Sequence, residues 1–387
     1  MQNFDVAIVG GGASGLACAL QIKRLNCKLS VVVIDAGERL GKKLAATGNG
    51  QGNVSNKRLS AENYHGGGAA LAARVIGGDS SLPLRLFNCL FVEDEEGRIY
   101  PAGRQASALT DSLIRELTAY GVKFIHPARV ISIADTFVLK LSEGHSLSAK
   151  KVVLACGGKA QKQFGTDGSA YVLAQKFGHK LTPLCPSLVQ LKTDTAYTKG
   201  LKGIRVDCLV RARLHGSQLT SCRGDVIFTD YGLSGNAIFK ISSALAGADG
   251  AELSLEFLPD CSAEEIMSDI VKKSRFGYPD CELLSGTLHN QIGRAIIKRS
   301  GPRPEDIVKT LKNFTLRVTG TLGFDYAQVT HGGIDCSDIA DDMQSKLAKG
   351  LYLIGEYVDV DGDCGGYNLL WAFASAGRAA RSIAGKI

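Results

Sequence analysis

The sequence predicts an α/β fold in which a parallel, doubly wound sheet of the Rossmann type is interrupted by an inserted domain. Three observations predict it. Residues 7–20 hold a glycine cluster between a buried strand and a helix, and residues 350–380 close the chain with another strand, glycine loop and helix. The segment between about residues 188 and 330 lacks such glycine turns. Strands that alternate with helices through glycine turns are typical of doubly wound sheets.

The opening glycine cluster has the G-x-G-x-x-G spacing at Gly10, Gly12 and Gly15. Residues 4–9 form an apolar run typical of a buried parallel strand, and residues 29–34 predict a second one after the intervening helix. Gly10 permits a tight turn, Gly12 lets the backbone approach a pyrophosphate, and Gly15 lets helix and strand pack closely. The motif within this strand–helix–strand context predicts a bound dinucleotide.

Two further features indicate what this turn binds. The N–H groups at the start of the helix, at Ala13 and Ser14, would face the phosphates, because the helix dipole favours negative charge there. Asp35 ends the second strand about 20 residues after the last glycine, where a carboxylate accepts hydrogen bonds from a ribose. Since an acidic residue repels a 2′-phosphate, we expect this site not to hold NADP.

The composition is that of a globular protein: 387 residues, 45% hydrophobic, 21% charged, with a mean hydropathy of +0.04. The length favours two domains. The net charge of +7 is dispersed, so we expect a small-molecule substrate and no nucleic acid. No apolar stretch approaches the roughly 20 residues of a membrane span, and no signal peptide is recognised, so we expect a cytoplasmic protein without membrane contact. The oligomeric state stays open.

The cysteines and aspartates do not predict a metal site. Eleven cysteines are scattered without a C-x-x-C pair, which is typical of reduced thiols. Cys156 and Cys364 lie in glycine-rich segments, where we expect small packing residues. Asp359, Asp361 and Asp363 alternate as the first ligands of a calcium loop do, but the loop lacks the required glycine and bidentate glutamate. We therefore expect no metal.

The middle of the first domain continues the alternation. The pattern predicts a helix over residues 105–120, a third strand over 122–125 and a hairpin extension over 130–141. A fourth apolar strand at residues 152–155 runs into paired glycines, where Gly157 would bring the backbone close to a ligand at the carboxyl edge of the sheet. No second G-x-G-x-x-G follows, so we expect a single dinucleotide-binding domain.

The change in pattern between the two glycine-rich ends sets the expected domain boundaries. We expect one domain over residues 1–187 and 331–387, and an inserted domain over residues 188–330. Within the insert, residues 188–260 and 313–330 are expected to be β-rich and residues 261–312 helical. The helical patterns in the insert cover residues 264–275, 288–298 and 304–312.

The closing segment points to FAD. A strand at residues 351–354 is followed by Gly355 and Glu356, then by a loop rich in glycine and aspartate and a helix of small and apolar residues. FAD needs its adenosine end at the opening turn and its flavin end held elsewhere. Glu356 would accept hydrogen bonds from ribityl hydroxyls, and the helix dipole would favour negative charge on the pyrimidine of reduced flavin.

These residues resemble the BaiN-type, aminoacetone-oxidase-like family of FAD-dependent oxidoreductases. The matching stretches are "VGGGASGLACA", "ERLGKKLAATGNGQGN", "GRIYPAGRQA", "FTDYGLSGNAIFKIS", "VTHGGI" and "GEYVDVDGDCGGYNLLWAFASAG". The resemblance covers nearly the whole chain, and the last stretch is the most specific to the family. It implies a glutathione-reductase-like FAD-binding domain whose insert has a β-barrel-like part and a helical part.

The resemblance also implies site residues. Gly10, Gly12, Gly15 and Asp35 would hold the ADP half, with Val130 offering backbone to adenine. The loop "GKKLAATGNG" would bring Lys43, Asn49 and Gly50 near the flavin. Five residues of the closing segment would surround the ribityl chain and ring: Glu356, Gly366, Tyr367, Asn368 and Leu369.

One stretch departs from the family pattern. Relatives carry G-N-G-R-C-N where this chain reads Gly48 to Asn53 as G-N-G-Q-G-N. Gln51 and Gly52 thus replace a cation and a thiol beside the flavin. If relatives use that cation and thiol to hold or protonate substrate, we expect this chain to bind FAD and to accept electrons from a nicotinamide donor, but to process the substrates of its relatives poorly. The alternative is that the loop only cradles the flavin through its backbone N–H groups, so that its side chains are free to vary.

The resemblance implies redox chemistry by bound flavin. The favoured activity is a reductase, in which transient NAD(P)H reduces the flavin and hydride passes to an activated C=C of an enone-like steroid or bile-acid substrate. The alternatives are an oxidase of a small amine or amino ketone that uses dioxygen, and a non-catalytic flavin-binding protein. Reduction of an enone also needs a proton donor. The candidate catalytic residues are Tyr100, Tyr231, His331 and Tyr367.

Overall fold

A computed structural model describes residues 1–385 of the chain. These residues form two compact units. The first comprises residues 1–185 together with the chain from residue 329 onward, and the second comprises residues 186–328. The sequence placed these divisions at 187/188 and 330/331. No helix within residues 1–385 combines the length and apolarity needed to cross a membrane.

The strands are numbered in chain order. They are β1 (Gln2–Val9), β2 (Val31–Ile34), β3 (Ser55–Asn56), β4 (Tyr64–His65), β5 (Phe91–Glu93), β6 (Arg98–Pro101), β7 (Lys123–Ile125), β8 (Val130–Ile133), β9 (Val138–Leu141), β10 (Ser146–Leu154), β11 (Cys185–Ser187), β12 (Leu191–Thr193), β13 (Arg205–Leu214), β14 (Ser217–Phe228), β15 (Gly232–Ser234), β16 (Glu252–Phe257), β17 (Phe314–Thr321), β18 (Val329–His331), β19 (Leu351–Leu353) and β20 (Asp361–Gly362).

The α-helices are numbered in the same way. They are α1 (Ala13–Leu25), α2 (Lys42–Ala46), α3 (Ala69–Ile76), α4 (Leu82–Leu86), α5 (Ala106–Ala119), α6 (Tyr171–Gln175), α7 (Asn236–Ala244), α8 (Ala263–Arg275), α9 (Asn290–Ser300), α10 (Pro304–Lys312) and α11 (Tyr367–Ala384). Short 3-10 turns connect several of these elements, and one of them, Gly355–Tyr357, follows β19.

The first unit is built on a mixed sheet whose centre is parallel. Its strand order is β7-β2-β1-β10-β9-β8, and β19 also pairs with β10. The strands β7, β2, β1, β10 and β19 run parallel, whereas β9 pairs antiparallel with the first part of β10. All four residues of β2 are buried, as expected for a strand covered on both faces. β10 begins at Ser146, earlier than its apolar run, because its polar first half pairs with β9.

Two helices from opposite ends of the chain, α1 and α11, pack against each other. α1 packs against both α5 and α11. Small residues make the close approach of α1 and α11 possible: a methyl group added at Gly377 in α11 would lie 2.8 Å from the side-chain oxygen of Gln21 in α1. The packing brings the opening turn and the closing helix of the chain into one layer.

The second unit contains a closed barrel and a helical part. The barrel has the strand order β12-β15-β14-β13-β16-β17, and α7 packs on β14 and β13. The helical part contains α8, α9 and α10; Ser262 and Glu265 form a capping box at the start of α8. α9 begins at Asn290, two residues later than the apolar pattern suggested, because the ring of His289 caps it by accepting from the N–H of Gln291. The sequence analysis did not identify α7.

Two strand glycines of the barrel give a matched test of its packing. Gly232 and Gly320 have similar backbone angles, with φ of +148° and +146°. A methyl group added at Gly232 would lie 2.4 Å from the carbonyl oxygen of Leu191, whereas one added at Gly320 would meet nothing within 4 Å. We expect Gly232→Ala to lower the free energy of unfolding by about 1–3 kcal/mol more than Gly320→Ala, as measured by chemical denaturation. Equal losses in the two variants would contradict this packing.

Candidate active site

The three motif glycines of the opening turn have different surroundings. A methyl group at Gly10, where φ is +110°, would lie 2.2 Å from the carbonyl oxygen of Ala155, and one at Gly15 would lie 1.9 Å from the carbonyl oxygen of Gly10. A methyl group at Gly12 would meet nothing within 4 Å. Gly10 and Gly15 therefore allow α1 to contact the sheet, and Gly12 leaves open space in front of the helix.

The start of α1 provides hydrogen-bond donors at this open space. Gly12 is the N-cap residue and offers no side-chain cap, so the N–H groups of the first turn, which includes Ala13 and Ser14, are available to a ligand. Ser14 also lies close to the closing segment: a methyl group at Gly355, where φ is +69°, would lie 2.6 Å from its hydroxyl oxygen.

Asp35 stabilises the turn and also lies where the sequence places a ribose ligand. One oxygen of its carboxylate accepts from the N–H of Gly11 and the other from the N–H of Gly37, both at 2.7 Å. Each carboxylate oxygen has a second lone pair, so both can still accept from a hydroxyl group. The backbone oxygen of Asp35 accepts from the N–H of Ala128, which brings the chain leading to Val130 alongside.

An ion pair connects the two glycine-rich ends of the chain. The ammonium group of Lys43, in α2, donates to a carboxylate oxygen of Glu356 at 2.7 Å, and the two side chains are 25% and 21% exposed. The other carboxylate oxygen accepts from the N–H of Thr330 at 3.0 Å. The structure thus brings together two residues that the sequence placed at the flavin, and Glu356 retains lone pairs for a further donor.

The loop after β10 lies against the same ion pair. A methyl group at Gly158 would lie 2.9 Å from a carboxylate oxygen of Glu356 and 2.4 Å from the hydroxyl oxygen of Thr330. Gly157 has φ of +72°, and a methyl group there would lie 2.7 Å from a methyl carbon of Thr166. The hydroxyl oxygen of Thr330 accepts from two N–H groups of this loop, at Lys159 and Ala160. These bonds fix the loop beside Glu356.

The start of α11 lies against the loop that contains Asn49 and Gly50. Gly366, with φ of +102°, is the N-cap residue and offers no side-chain cap. A methyl group there would lie 2.4 Å from the carbonyl oxygen of Ser55 and 2.6 Å from the side-chain oxygen of Asn53. Asn49 is exposed and has φ of +55°. The backbone oxygen of Gly50 accepts from the first N–H of α5, at Ala106.

Asn53 is a site residue that the sequence analysis missed. The residue is 7% exposed, and its side-chain oxygen has no hydrogen-bond donor within residues 1–385. A buried acceptor without a donor is costly, so its position beside the uncapped start of α11 indicates a ligand. A flavin pyrimidine edge offers an N–H group flanked by two carbonyl oxygens, which matches one acceptor beside several donors. These residues therefore fit FAD.

The first residues of α11 are held mainly by their own side chains. The amide of Asn368 bonds to both the N–H and the C=O of Gly362, at 2.8 and 2.7 Å. The hydroxyl of Tyr367 donates to the carbonyl oxygen of Arg58 at 2.8 Å, and its ring packs edge-on against Tyr64. These side chains position β20 and the helix start, so the backbone N–H groups of Tyr367, Asn368 and Leu369 are what α11 offers to a cofactor.

The four candidate proton donors have different environments. His331 is 28% exposed, and its Nδ1 lies 2.8 Å from a carboxylate oxygen of Asp361, whose side chain is fully buried. This hydrogen bond raises the pKa of His331 above its usual value, although burial of the ring opposes the shift. Burial raises the pKa of Tyr100 and of Tyr367. Tyr231 lies in the second unit, between β14 and β15.

A second imidazole–carboxylate pair lies next to the first. The Nε2 of His65 lies 2.9 Å from a carboxylate oxygen of Asp363. This hydrogen bond raises the pKa of His65 despite partial burial of the ring. Asp361 in β20 pairs across the ladder with His65 in β4, so the carboxylate of the first pair and the imidazole of the second lie on one short ribbon. Within residues 1–385, no group of three or more His, Cys, Asp or Glu side chains is arranged to hold a metal ion.

The fold and these residues define an FAD-binding Rossmann-type protein. The sequence profile described as the HI0933-like protein Rossmann domain matches residues 4–382. A protein named 3-dehydro-bile acid delta(4,6)-reductase, from Clostridium scindens, is 36% identical over 97% of this chain and 98% of its own length. A ribosomal RNA dihydrouridine synthase from Escherichia coli is 28% identical over 99% of this chain and 98% of its own length.

Solved structures show the same fold at low sequence identity. A quinol-fumarate reductase matches with a TM-score of 0.54 at 16% identity, over 100% of this chain and 72% of that one. A 3-ketosteroid delta1-dehydrogenase from Sterolibacterium denitrificans matches with a TM-score of 0.52 at 13% identity, over 100% of both chains.

The chain belongs to the HI0933-like family. It is an FAD-dependent oxidoreductase, so the predicted fold class, family and enzyme class are confirmed. The alternative of a non-catalytic flavin-binding protein is therefore set aside.

Gly12 and Gly15 test the ligand contact separately from the packing. We expect Gly15→Ala to lower the free energy of unfolding of the flavin-free protein by about 1–3 kcal/mol, because its methyl group would overlap a backbone oxygen. We expect Gly12→Ala to leave that stability nearly unchanged and to weaken FAD binding. Denaturation of the apoprotein and titration with FAD measure the two effects. A Gly12→Ala variant that binds FAD as the wild type does would contradict the assignment of the open space.

Proposed function

We propose that this enzyme reduces a carbon–carbon double bond conjugated to a carbonyl group in a small steroid-like acid, with NAD(P)H as the electron donor. The name of the 36% identical relative supports the substrate class. The main structural support for this type of reaction is the environment of His331. Its partly exposed imidazole is hydrogen-bonded to a buried carboxylate, and the residue adjoins Thr330, which contacts Glu356. Such a group can supply the proton that accompanies a hydride.

Reduction of the double bond needs a hydride and a proton, and we assign the proton to His331. When bound and reduced by NAD(P)H, FAD would supply the hydride that adds to the β-carbon of the conjugated system. The α-carbon then needs one proton, which completes the saturated product. Because Nδ1 of His331 faces Asp361, its Nε2 is the nitrogen that can donate this proton. Asp361 orients the ring and favours its protonated form.

The remaining residues would bind and orient the cofactor. The N–H groups at the start of α1 would hold the pyrophosphate, and Asp35 would accept from the ribose. Asn53 and the start of α11 would pair with the polar edge of the flavin, where donors and helix dipole stabilise developing negative charge. Lys43 would hold the carboxylate of Glu356 in place for a cofactor hydroxyl.

A second candidate is reduction of the uracil ring in RNA. Uracil also contains a C=C bond conjugated to a carbonyl, so the same hydride and proton transfers would apply. Full-length relatives at 28% identity carry the name ribosomal RNA dihydrouridine synthase, and the net charge of +7 is compatible with a polyanion. The lower identity places this candidate second.

One experiment separates these activities. The holoenzyme is reduced without oxygen by NADH or NADPH while bleaching of the flavin is followed; a 3-oxo-4,6-diene bile acid, a uracil-containing rRNA fragment or dioxygen is then added. We expect bleaching and rapid reoxidation by the bile acid. Reoxidation by RNA alone would establish the second candidate. Rapid reoxidation by dioxygen alone would indicate an amine or amino-ketone oxidase and contradict the proposal.

The proton donor is tested by the pH dependence of reoxidation. The pKa of His331 is raised above the usual histidine value near 6.5, so the ring is protonated at pH values below 6.5. It loses its proton as the pH rises through the raised pKa. We therefore expect the reoxidation rate by the enone to fall as the pH rises through that range. His331→Gln should lower the rate about 10²- to 10⁴-fold and remove this pH dependence, without changing flavin reduction by NAD(P)H.

His65→Gln is the matched control, because it removes the neighbouring imidazole that has the same kind of carboxylate partner. We expect it to retain both the rate and the pH profile. A His331→Gln variant with the wild-type pH profile would exclude His331 as the donor.

A further inference from the structure

An arginine side chain lies exposed beside the loop that contains Gly50. The guanidinium carbon of Arg104 lies 4.5 Å from the ring centre of Tyr100, and one of its N–H groups donates to the side-chain oxygen of Gln51 at 3.0 Å. No carboxylate within residues 1–385 forms an ion pair with Arg104. The two contacts hold the cation in place and leave most of its donors free.

The backbone at Arg104 has a conformation that non-glycine residues seldom adopt. Its φ is +46°, in the left-handed region, and its N–H donates to the carbonyl oxygen of Pro101 at 2.8 Å. Non-glycine residues in this region cluster at ligand-binding sites, where the surrounding structure maintains them. Here the conformation places the guanidinium group over Tyr100 and against Gln51.

The segment around Arg104 is packed on the loop that leads to Asn53, which we propose pairs with the flavin. The N–H of Ala106 donates to the backbone oxygen of Gly50 at 2.8 Å. A methyl group added at Gly52 would lie 3.1 Å from the Cα of Ala106 and 3.3 Å from Pro101. The position of Arg104 is therefore fixed relative to Gly50 and Gln51.

We propose that Arg104 binds the acidic group of the substrate and so selects an anionic substrate. A planar guanidinium pairs with a carboxylate through two parallel hydrogen bonds, and stacking on an aromatic ring leaves its edge free to do so. Gln51 is neutral and holds the cation by one hydrogen bond without neutralising it. This inference rests on the proposed function, because that function pairs the flavin with Asn53, two residues after Gln51.

The test compares an acid with its uncharged form. KM and kcat are measured for a 3-oxo-4,6-diene bile acid and for its methyl ester, with wild type, Arg104→Ala and Arg104→Lys. We expect Arg104→Ala to raise KM for the acid about 10- to 100-fold, as expected for loss of hydrogen bonds to a charged group, and to leave kcat and KM for the ester nearly unchanged. Arg104→Lys should recover part of the loss, because it keeps the charge without the fork.

Arg115→Ala is the matched control, because it removes an exposed positive charge from α5, the helix that follows Arg104. It should leave both KM values unchanged. Equal losses for acid and ester in Arg104→Ala would indicate a structural role and overturn the proposal. A raised KM for NAD(P)H alone would assign Arg104 to the nucleotide phosphates and also overturn it.

A binding measurement tests the role of Arg104 even if the proposed reaction does not take place. Binding of the acid and of the ester to the oxidised holoenzyme is followed through the visible absorbance of the flavin. If neither compound is reduced but Arg104→Ala weakens binding of the acid alone, the proposed reaction fails and the role of Arg104 stands. Unchanged affinity for the acid would overturn the role of Arg104, whether or not the acid is reduced.

Discussion

The arrangement of the first unit depends on the close contact between α1 and the sheet. A side chain at residue 15 would overlap the carbonyl oxygen of Gly10, and a side chain at residue 10 would overlap that of Ala155. Without side chains at these two positions, the helix begins directly at the carboxyl edge of β1 and β10. Its first N–H groups then lie at the edge where ligands of parallel sheets bind. Gly12 has the opposite surroundings, since the space in front of it is open.

This contact allows the two ends of the chain to build one site. α11 packs along α1, so its uncapped start lies close to the opening segments, and Lys43 reaches Glu356 across 313 residues of sequence. The ion pair is partly exposed, so its contribution to stability is modest, about 1 kcal/mol or less. Its main effect is to orient the carboxylate, and Asn53 adds a buried acceptor without a donor at the start of α11. Polar groups left without partners within the protein are what a bound cofactor would satisfy.

The sequence predicts the local features of this fold better than the contacts between distant segments. The spacing of Gly10, Gly12 and Gly15 between two apolar runs predicts the opening turn, because the motif is contiguous in sequence even though Gly10 packs on the distant Ala155. The Lys43–Glu356 pair has no local pattern. The strand before Glu356 predicted a role at the ribityl chain, whereas only the family resemblance placed Lys43 near the flavin. Asn53 is an ordinary polar residue in sequence, and its importance follows from burial without a donor. The sequence analysis also missed Arg104, because its hydrogen bond to Gln51 depends on the left-handed backbone conformation of Arg104 in a loop.

The central claim is that the opening turn and the closing helix together hold one FAD molecule. The most direct measurement is to release the chromophore from the purified protein by denaturation and to identify and quantify it by chromatography against the protein concentration. We expect FAD at about one molecule per chain, since the opening turn would hold a pyrophosphate, which FMN lacks. Release of FMN, or a colourless protein that takes up no added FAD, would contradict the account.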